Sequence, residues 1–387
     1  MKDVALTLTG GRRKIPKADL INTRRLPMST DFMTYIGTYT RRDSEGVYVY
    51  KLDGSTGSLE YRGKATGIEN PSFLTLAPGN RNLYVVSEID EFEGQATGTV
   101  TAYSVSAATG ELDYLNSQLT IGTVPCHVQV NSAGGFLLLA NYGSGSVASF
   151  PIQADGRLGE AVSFIQHGGS SINPSRQKGP HAHSINLDSS NRFAFAPDLG
   201  TDRVMSYRFD ADTGQLEPND TPFVTVNPGA GPRHFDFHPN GQYAYVINEL
   251  DSTITAFVYD NDQGALDTIQ TVSTLPEGFN EETTCADIHV SPDGRFVYGS
   301  NRGHNSIARF AVSETTGRLT PIGHTLTQGA TPRNFAIDPT GNFLLAANQD
   351  SDTIVTFRID SDSGDLVPTG NVADVPMPVC IRFASAS

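Results

Sequence analysis

Three arginines, one glutamate and one histidine stand at matching points of a periodic sequence, where they could bind an anion and transfer a proton. They are His183, Arg233, Glu249, Arg302 and Arg333, and we refer to them as the charged crescent. Arginine presents a planar fork of donors that matches carboxylate and phosphate oxygens. A neutral histidine can act as a general base toward water, because its usual pKa lies near neutral pH. Such a set suits hydrolysis or closure of an ester-like ring that bears an anionic group.

The roles within the charged crescent follow from its charges. Glu249 between arginines should be ionised, which makes it an orienting group and a weak base, although desolvation of Glu249 would reverse its role with His183. An arginine that stays free can stabilise an oxyanion that develops on an attacked carbonyl. The sequence contains neither a GxSxG motif nor a Cys–His nucleophile pair. We therefore expect water to be the nucleophile.

A repeat of roughly fifty residues aligns these side chains. Strands that end in an aromatic residue recur seven times, and successive aromatics lie 53, 47, 57, 50, 53 and 47 residues apart. The aromatics are Tyr50, Tyr103, Phe150, Tyr207, Phe257, Phe310 and Phe357. Turn leucines follow in step at Leu59, Leu112, Leu158, Leu216, Leu266, Leu319 and Leu366. Two series of residues, the aromatics and the leucines, that recur with the same period indicate a repeat architecture.

Each repeat contains four short strands separated by tight turns, among them HPNG at 238–241 and SPDG at 291–294. This pattern predicts an all-β fold, a seven-bladed β-propeller with four antiparallel strands per blade. Residues 32–50 supply later strands of a blade, and residues 378–384 supply a first strand. We therefore expect the N- and C-terminal strands to share one blade and close the ring, which removes an open sheet edge.

The repeat also predicts which side chains meet. We set position zero at the last apolar residue of each first strand, such as Phe237 or Ile337. Positions four before and twelve after zero are equidistant from the hairpin turn, so they lie side by side at one end. Four before zero stand Ser72, Cys126, His183, Arg233, Ala286 and Arg333; twelve after stand Glu88, Tyr142, Leu199, Glu249, Arg302 and Gln349. The residue types at these two positions differ from repeat to repeat, whereas structural positions tend to keep their type. We therefore predict that the charged crescent forms a site at the mouth of the central channel.

Simpler interpretations exist for each member of the charged crescent. A strand-end arginine or glutamate is usually solvated, Glu249 and Arg302 could form a purely structural ion pair, and His183 could hydrogen-bond a turn. A metal site is a further alternative, because His181 and His183 alternate along a strand and Glu249 or His234 could complete it. A cation among three arginines is electrostatically unfavourable, so we predict no metal and no cofactor.

Composition narrows the classes of partner. The net charge is −15, of which residues 1–30 contribute +5 and the remainder −20, and an acidic body argues against nucleic-acid binding. No apolar run approaches the length of a membrane-spanning helix. Three cysteines without CxxC spacing indicate small buried residues in a reducing compartment. We expect a poorly ordered extension at 1–31, with a targeting role as its alternative, one domain at 32–387, and a cytoplasmic location.

Several segments resemble the β-propeller lactonase family: VPCHVQV (124–130), GPHAHS (179–184), GPRHFDFHPNG (231–241) and SNRGHNSIA (300–308). The resemblance extends over residues 32–385. The family includes propeller-type 6-phosphogluconolactonases and, more distantly, a fungal 3-carboxy-cis,cis-muconate lactonising enzyme. The resemblance implies metal-independent hydrolysis of 6-phospho-D-glucono-1,5-lactone, with catalytic residues at His183, Arg233, Glu249 and Arg302.

Other expectations complete the functional hypothesis. We expect His181, Arg333 and Arg176 to bind substrate, with Lys178 as a further basic residue in the same loop as Arg176. The expected partner is a small anionic lactone, bound by a monomer or homodimer. The alternatives are a lactonase or lactone-forming cycloisomerase for another anionic lactone such as a carboxymuconolactone, a lactonase for an unphosphorylated sugar, and a non-catalytic interaction propeller.

Overall fold

The computed structural model of the protein describes residue 2 and residues 31–385. The described chain forms seven four-stranded antiparallel sheets, which confirms the predicted seven-bladed propeller. Most of the predicted extension at 1–31 lies outside the described residues. Among the described residues, no helix is long and apolar enough to cross a membrane.

The strands follow the chain blade by blade. Blade 1 combines β1 (Phe32–Thr38), β2 (Gly46–Leu52) and β3 (Leu59–Thr66) with the last strand, β28 (Pro378–Ser385). Blade 2 contains β4 (Phe73–Leu76), β5 (Asn82–Ser87), β6 (Thr99–Val105) and β7 (Leu112–Leu119). Blade 3 contains β8 (Pro125–Val130), β9 (Phe136–Asn141), β10 (Ser146–Pro151) and β11 (Ser163–Gln166). Blade 4 contains β12 (Asn186–Leu187), β13 (Phe193–Asp198), β14 (Arg203–Phe209) and β15 (Leu216–Thr225).

The remaining blades repeat the same order. Blade 5 contains β16 (Pro232–Phe237), β17 (Tyr243–Asn248), β18 (Thr253–Asp260) and β19 (Ala265–Ser273). Blade 6 contains β20 (Thr284–Val290), β21 (Phe296–Arg302), β22 (Ser306–Val312) and β23 (Leu319–Leu326). Blade 7 contains β24 (Pro332–Ile337), β25 (Phe343–Asn348), β26 (Thr353–Ile359) and β27 (Leu366–Asp374), with a 3-10 turn at Gln349–Ser351.

The two ends of the chain close the ring as predicted. The C-terminal strand β28 pairs antiparallel with β1 from Phe32 opposite Ser385 to Thr38 opposite Pro378. On its other side β28 contacts β4 of blade 2 and β24 of blade 7, so the first strand of each blade faces the centre. The inner edge of β1 is therefore paired, and the closure of the ring depends on a strand from the C-terminal end of the domain.

A tyrosine of one blade forms a hydrogen bond with a turn of the next blade. The Tyr35 hydroxyl on β1 donates to the Gly110 carbonyl at 3.1 Å, and Tyr245 donates to Gly317 at 3.0 Å. These turn glycines have positive φ, and a Cβ on Gly317 would clash with the Tyr243 ring. Each of these bonds joins the second strand of one blade to a turn of the next blade.

Candidate active site

A cavity of about 250 Å³ opens at the channel mouth where the inner strands begin. Its walls are formed by Glu88, Cys126, Tyr142, Arg176, His183, Glu249, Arg302 and Arg333. Every wall residue except Arg176 stands four before or twelve after zero in its repeat. The predicted convergence of these two positions at one rim is therefore correct. The mouth of a propeller channel is a usual place for a small-molecule site.

Local breaks in the sheets set the direction of several side chains at this rim. The register between β16 and β17 shifts between Pro232 and His234, which leaves Arg233 outside the ladder as a bulged residue. Arg333 is bulged in the same way between Pro332 and Asn334. A bulge re-aims the side chain that it carries, and bulges are common beside active sites. Proline without an N–H starts each of these strands and favours the break.

Blade 4 departs from the predicted strand over HAHSINL, because regular pairing is confined to Asn186–Leu187. Upstream, the His183 N–H donates to the Pro197 carbonyl at 2.9 Å. Pro197 has no N–H to return, so the ladder cannot continue. The His183 carbonyl instead accepts from the Cys126 thiol at 3.3 Å. His183 is thereby fixed at the cavity wall from both sides.

Glu249 is the electrostatic centre of the site. Its Oε2 accepts from Arg233 Nε at 3.0 Å and pairs with Arg302 at 3.0 Å, and its Oε1 accepts from Arg176 at 2.7 Å. Burial alone would raise the pKa of Glu249, but the attraction of Arg302, Arg233 and Arg176 outweighs it and holds the pKa at about 2. Glu249 is therefore an ionised anchor, as expected, and a poor general base at neutral pH.

His183 is neutral at the opposite wall. Burial, reinforced by the charge of Arg233, lowers its pKa well below 6.5. Its Nε2 lies 3.9 Å from Glu249 Oε2, too far for a direct hydrogen bond. A water molecule at about 2.8 Å from both atoms fits this spacing. Neutral His183 can accept a proton from such a water.

Arg333 differs from the other arginines because its guanidinium has little to bind within the protein. No described residue accepts a hydrogen bond from its guanidinium, and its ion pair with Glu88 Oε1 spans 3.9 Å. The guanidinium lies 5.3 Å from the centre of the Tyr39 ring, whose hydroxyl donates to Glu88 at 2.8 Å. A mostly buried guanidinium with free donors is suited to an incoming anion.

Arg233 and His181 lie behind the walls and not on them. Arg233 is 2% exposed, beneath Glu249. His181 stacks on the Tyr142 ring with centroids 4.6 Å apart, and its Nδ1 donates to the Tyr142 carbonyl at 2.9 Å. Each therefore supports a wall residue. Direct contact of either side chain with a bound substrate has no support in this geometry.

The loop before GPHAHS brings Arg176 over the cavity. Its guanidinium bridges Tyr142 at 3.1 Å and Glu249 at 2.7 Å. The buried Gln177 anchors this loop by donating to Asp202 Oδ1 at 2.7 Å, and Asp202 also accepts from Gly231 N at 2.7 Å, just before β16. Arg176 thus lines the cavity, whereas Lys178 is exposed and does not.

Sequence reasoning did not single out three wall residues: Glu88, Cys126 and Tyr142. All three stand at the predicted repeat positions, so the positional signal was present. Glu88 pairs loosely with Arg333, and Tyr142 positions Arg176 by accepting its hydrogen bond. Their residue types alone did not indicate these contacts, because neither partner is near in sequence.

The site is positively charged within an acidic protein. Four arginines (176, 233, 302 and 333) face two carboxylates (88 and 249), and with neutral His183 this gives a formal charge of +2. Among the described residues, no group of three or more His, Cys, Asp or Glu side chains could hold a metal ion. The arrangement can bind an anion of two charges and place a water beside a neutral imidazole.

Comparison with known proteins shows which protein family the chain matches. Residues 33–383 match the model of a family described as lactonase, seven-bladed β-propeller. The chain is 39% identical to a 6-phosphogluconolactonase of Bacillus subtilis over 92% of this chain and 99% of that protein. It is 36% identical to a 6-phosphogluconolactonase of Formosa agariphila over 78% and 85% of the two chains. A solved structure from Pseudomonas aeruginosa, titled a periplasmic gluconolactonase, is 35% identical with a TM-score of 0.87, over 92% and 100% of the two chains.

Proposed function

This chain belongs to the seven-bladed β-propeller lactonase family, and we propose that it hydrolyses 6-phospho-D-glucono-1,5-lactone to 6-phosphogluconate in the pentose phosphate pathway. One observation carries the choice of a phosphorylated substrate. Arg333 offers free donors in a pocket of formal charge +2, and a phosphate monoester carries close to two negative charges at neutral pH. The B. subtilis and F. agariphila relatives, which bear the name of this activity, support the same choice.

In the proposed reaction, water between His183 and Glu249 attacks the lactone carbonyl carbon. His183 Nε2 accepts a proton from the water as the new C–O bond forms, and the carbonyl electrons move to oxygen. Arg302, 14% exposed at the wall, stabilises that oxyanion. The ring C–O bond then breaks, and the imidazolium returns its proton to the ring oxygen as it leaves. The product is an open-chain hydroxy acid, whose carboxyl group loses a proton to solvent.

The phosphate and the reacting ester occupy different ends of the pocket in this proposal. Arg333 and Arg176 bind the phosphate, because the first has free donors and the second is a further arginine in the cavity wall. Glu249 keeps its charge and holds Arg302 in place. Arg233 acts from behind Glu249, and His181 acts through Tyr142.

A second candidate is a lactonase for the unphosphorylated sugar lactone. The P. aeruginosa structure titled a periplasmic gluconolactonase favours it. The two candidates differ in whether Arg333 has an anion to bind. No feature of the site favours a lactone-forming cycloisomerase or an interaction propeller over hydrolysis.

The experiment is a rate measurement on purified protein. Freshly generated 6-phosphogluconolactone hydrolyses spontaneously, so the protein must accelerate its disappearance above the buffer rate, in the presence of a chelator. Glucono-1,5-lactone and a carboxymuconolactone serve as comparison substrates. Acceleration of the phosphorylated lactone alone supports the proposal. Absence of any acceleration refutes it, and loss of activity on adding chelator would refute the metal-independent mechanism.

We further propose a cytoplasmic location and a monomeric or homodimeric state. The three cysteines, Cys126, Cys285 and Cys380, are all free and buried, as predicted, which suits a reducing compartment. The contrary precedent is the P. aeruginosa protein titled periplasmic. Cell fractionation and sizing of the purified protein test these two points.

A further inference from the structure

A second layer of side chains lies directly beneath the cavity. It comprises the residues three positions before zero in each repeat: Phe73, His127, Ser184, His234, Asp287 and Asn334. The rings of Phe73, His127 and His234 contact one another, with His127 and His234 centroids 5.7 Å apart. These rings, which we call the floor, line a neighbouring cavity that shares no wall residue with the candidate active site.

Within this floor, His234 connects Arg233 to a buried carboxylate. Arg233 Nη1 donates to His234 Nε2 at 3.0 Å, and His234 Nδ1 bonds Asp287 Oδ1 at 2.7 Å. A guanidinium can only donate, so His234 Nε2 must carry the lone pair and Nδ1 must carry the proton. The tautomer of His234 is thus fixed by its two neighbours. A protonated His234 could not accept from Arg233.

Asp287 is itself held rigidly. It is 2% exposed and accepts from His289 Nε2 at 3.2 Å and from the backbone N–H of Ile288 at 3.0 Å. The amide of Asn334, on β24 of the next blade, also donates to it. Asp287 therefore ties three blades together at the level of the floor. Its position does not depend on a ligand.

A comparison of Arg233 with Arg333 shows what the contacts of the Arg233 guanidinium do. Arg233 and Arg333 stand on equivalent bulges, but the residues that follow them differ. The residue after Arg333 is Asn334, whose side-chain amide donates to Asp287 and not to the arginine. The Arg333 guanidinium has no acceptor within hydrogen-bond distance among the described residues, whereas Arg233 donates to Glu249, His234 and the Ala286 carbonyl at 2.5 Å. One arginine is left for a ligand, and the other is held.

We propose that Asp287 and His234 are positioning residues that hold the Arg233 guanidinium against Glu249 and thereby fix that carboxylate opposite His183. The chain of contacts runs from Asp287 through His234 and Arg233 to Glu249, all of them at most 6% exposed. Without His234, the Nη1 donor keeps the Ala286 carbonyl but loses its second acceptor, so the guanidinium is held less firmly against Glu249. The Glu249 carboxylate would then shift relative to His183 and Arg302, which act on the reacting ester.

This inference uses the proposed lactonase activity only as a kinetic readout. The test compares His234→Leu, which removes both hydrogen bonds, with His234→Gln, whose amide can accept from Arg233 and donate to Asp287. His127→Leu is the matched control, because His127 belongs to the same floor and, among the described residues, hydrogen-bonds only the Ile185 N–H at 3.3 Å, away from Glu249. Groups that orient a metal ligand from behind typically change activity by about 10- to 100-fold when they are replaced, and we expect the same scale for a group that orients Arg233.

We expect His234→Leu to lower kcat by about 10- to 100-fold with little change in KM, His234→Gln to restore most of the loss, and His127→Leu to keep kcat. Equal losses in His234→Leu and His127→Leu would mean a general packing effect and overturn the proposal. A rise in KM with unchanged kcat in His234→Leu would also overturn it.

A measurement without substrate decides the geometry if His234→Leu does not fold or if the wild type hydrolyses no lactone. Nitrogen-15 NMR of the histidine rings in the wild-type protein, assigned with His234→Gln, reports which nitrogen carries the proton. We expect His234 to carry its proton on Nδ1 at pH 7. A proton on Nε2, or on both nitrogens, would exclude the hydrogen bond from Arg233 and overturn the proposal. Inactive wild type with the Nδ1 tautomer would refute the lactonase function alone.

Discussion

Arg233 and Arg333 occupy the same repeat position in blades 5 and 7, but their guanidinium groups differ in their hydrogen-bond partners. Each arginine stands on a bulge four residues before the end of an inner strand. Arg233 is bonded to Glu249 and His234, and it is 2% exposed. Within the described part of the chain, the Arg333 guanidinium has no hydrogen-bond acceptor; it makes a 3.9 Å ion pair with Glu88 and lies over the Tyr39 ring. The repeat thus supplies two arginines in equivalent places, and their neighbours assign one to the framework and one to the ligand.

Replacing Arg333 should separate binding from chemistry. For Arg333→Met we expect KM for the phosphorylated lactone to rise about 10- to 100-fold, since hydrogen bonds to charged groups contribute about 1.5–3 kcal/mol, with kcat changed little. Steady-state kinetics on both lactones checks this. Arg382→Met is the control, because Arg382 stacks on Phe73 at 4.6 Å and does not line the cavity. An unchanged KM in Arg333→Met would place the phosphate elsewhere.

Replacing His183 should remove the proton acceptor. For His183→Ala we expect kcat to fall by about 10²- to 10⁴-fold, the usual contribution of a general base. Because the pKa of His183 is held well below 6.5 by burial, the wild-type rate should stay flat down to pH 6.5 and decline only at lower pH. His181→Ala is the comparison variant and should lose less kcat. Full activity in His183→Ala would exclude it as the base.

Sequence reasoning predicted the blade count, the closure of the ring and the rim on which the site lies, because these depend on periodicity. It correctly brought His183, Glu249, Arg302 and Arg333 to one cavity. It did not predict that Arg233 and His181 would lie behind the walls, since depth depends on bulges and ring stacking that no spacing encodes. Nor did it indicate the His234–Asp287 contact, which joins strands of different blades 53 residues apart.

Two glutamate variants should distinguish Glu249, which orients two arginines, from Glu88, which only lowers the positive charge of the site. Glu88→Gln and Glu249→Gln each raise the formal charge of the site from +2 to +3, so each should bind inorganic phosphate more tightly. Only Glu249→Gln should also lower kcat, because Glu249, unlike Glu88, pairs with Arg233 and Arg302. Inhibition by phosphate and turnover measure the two effects. Equal kcat in both variants would contradict the role of Glu249.

Stability should fall as the solution is acidified. Burial lowers the pKa of His127, His183 and His234 in the folded protein, the last to about 4, so the unfolded chain binds more protons below pH 6.5. The free energy of unfolding should therefore decrease from about pH 6.5 to about pH 4.5, before carboxylates such as Glu249 contribute. His289, whose pKa is raised by Asp287 despite burial, opposes the trend. Urea unfolding at several pH values checks it, and a flat profile would contradict it.

The central claim is that this site acts on a phosphorylated lactone. Its most direct test is the ratio of kcat/KM for 6-phospho-D-glucono-1,5-lactone to kcat/KM for glucono-1,5-lactone, measured on the wild-type protein with chelator present. The loss of charged contacts to the phosphate predicts a ratio of about 10 or more. A ratio near or below one would contradict the account and favour an unphosphorylated sugar lactone as the substrate.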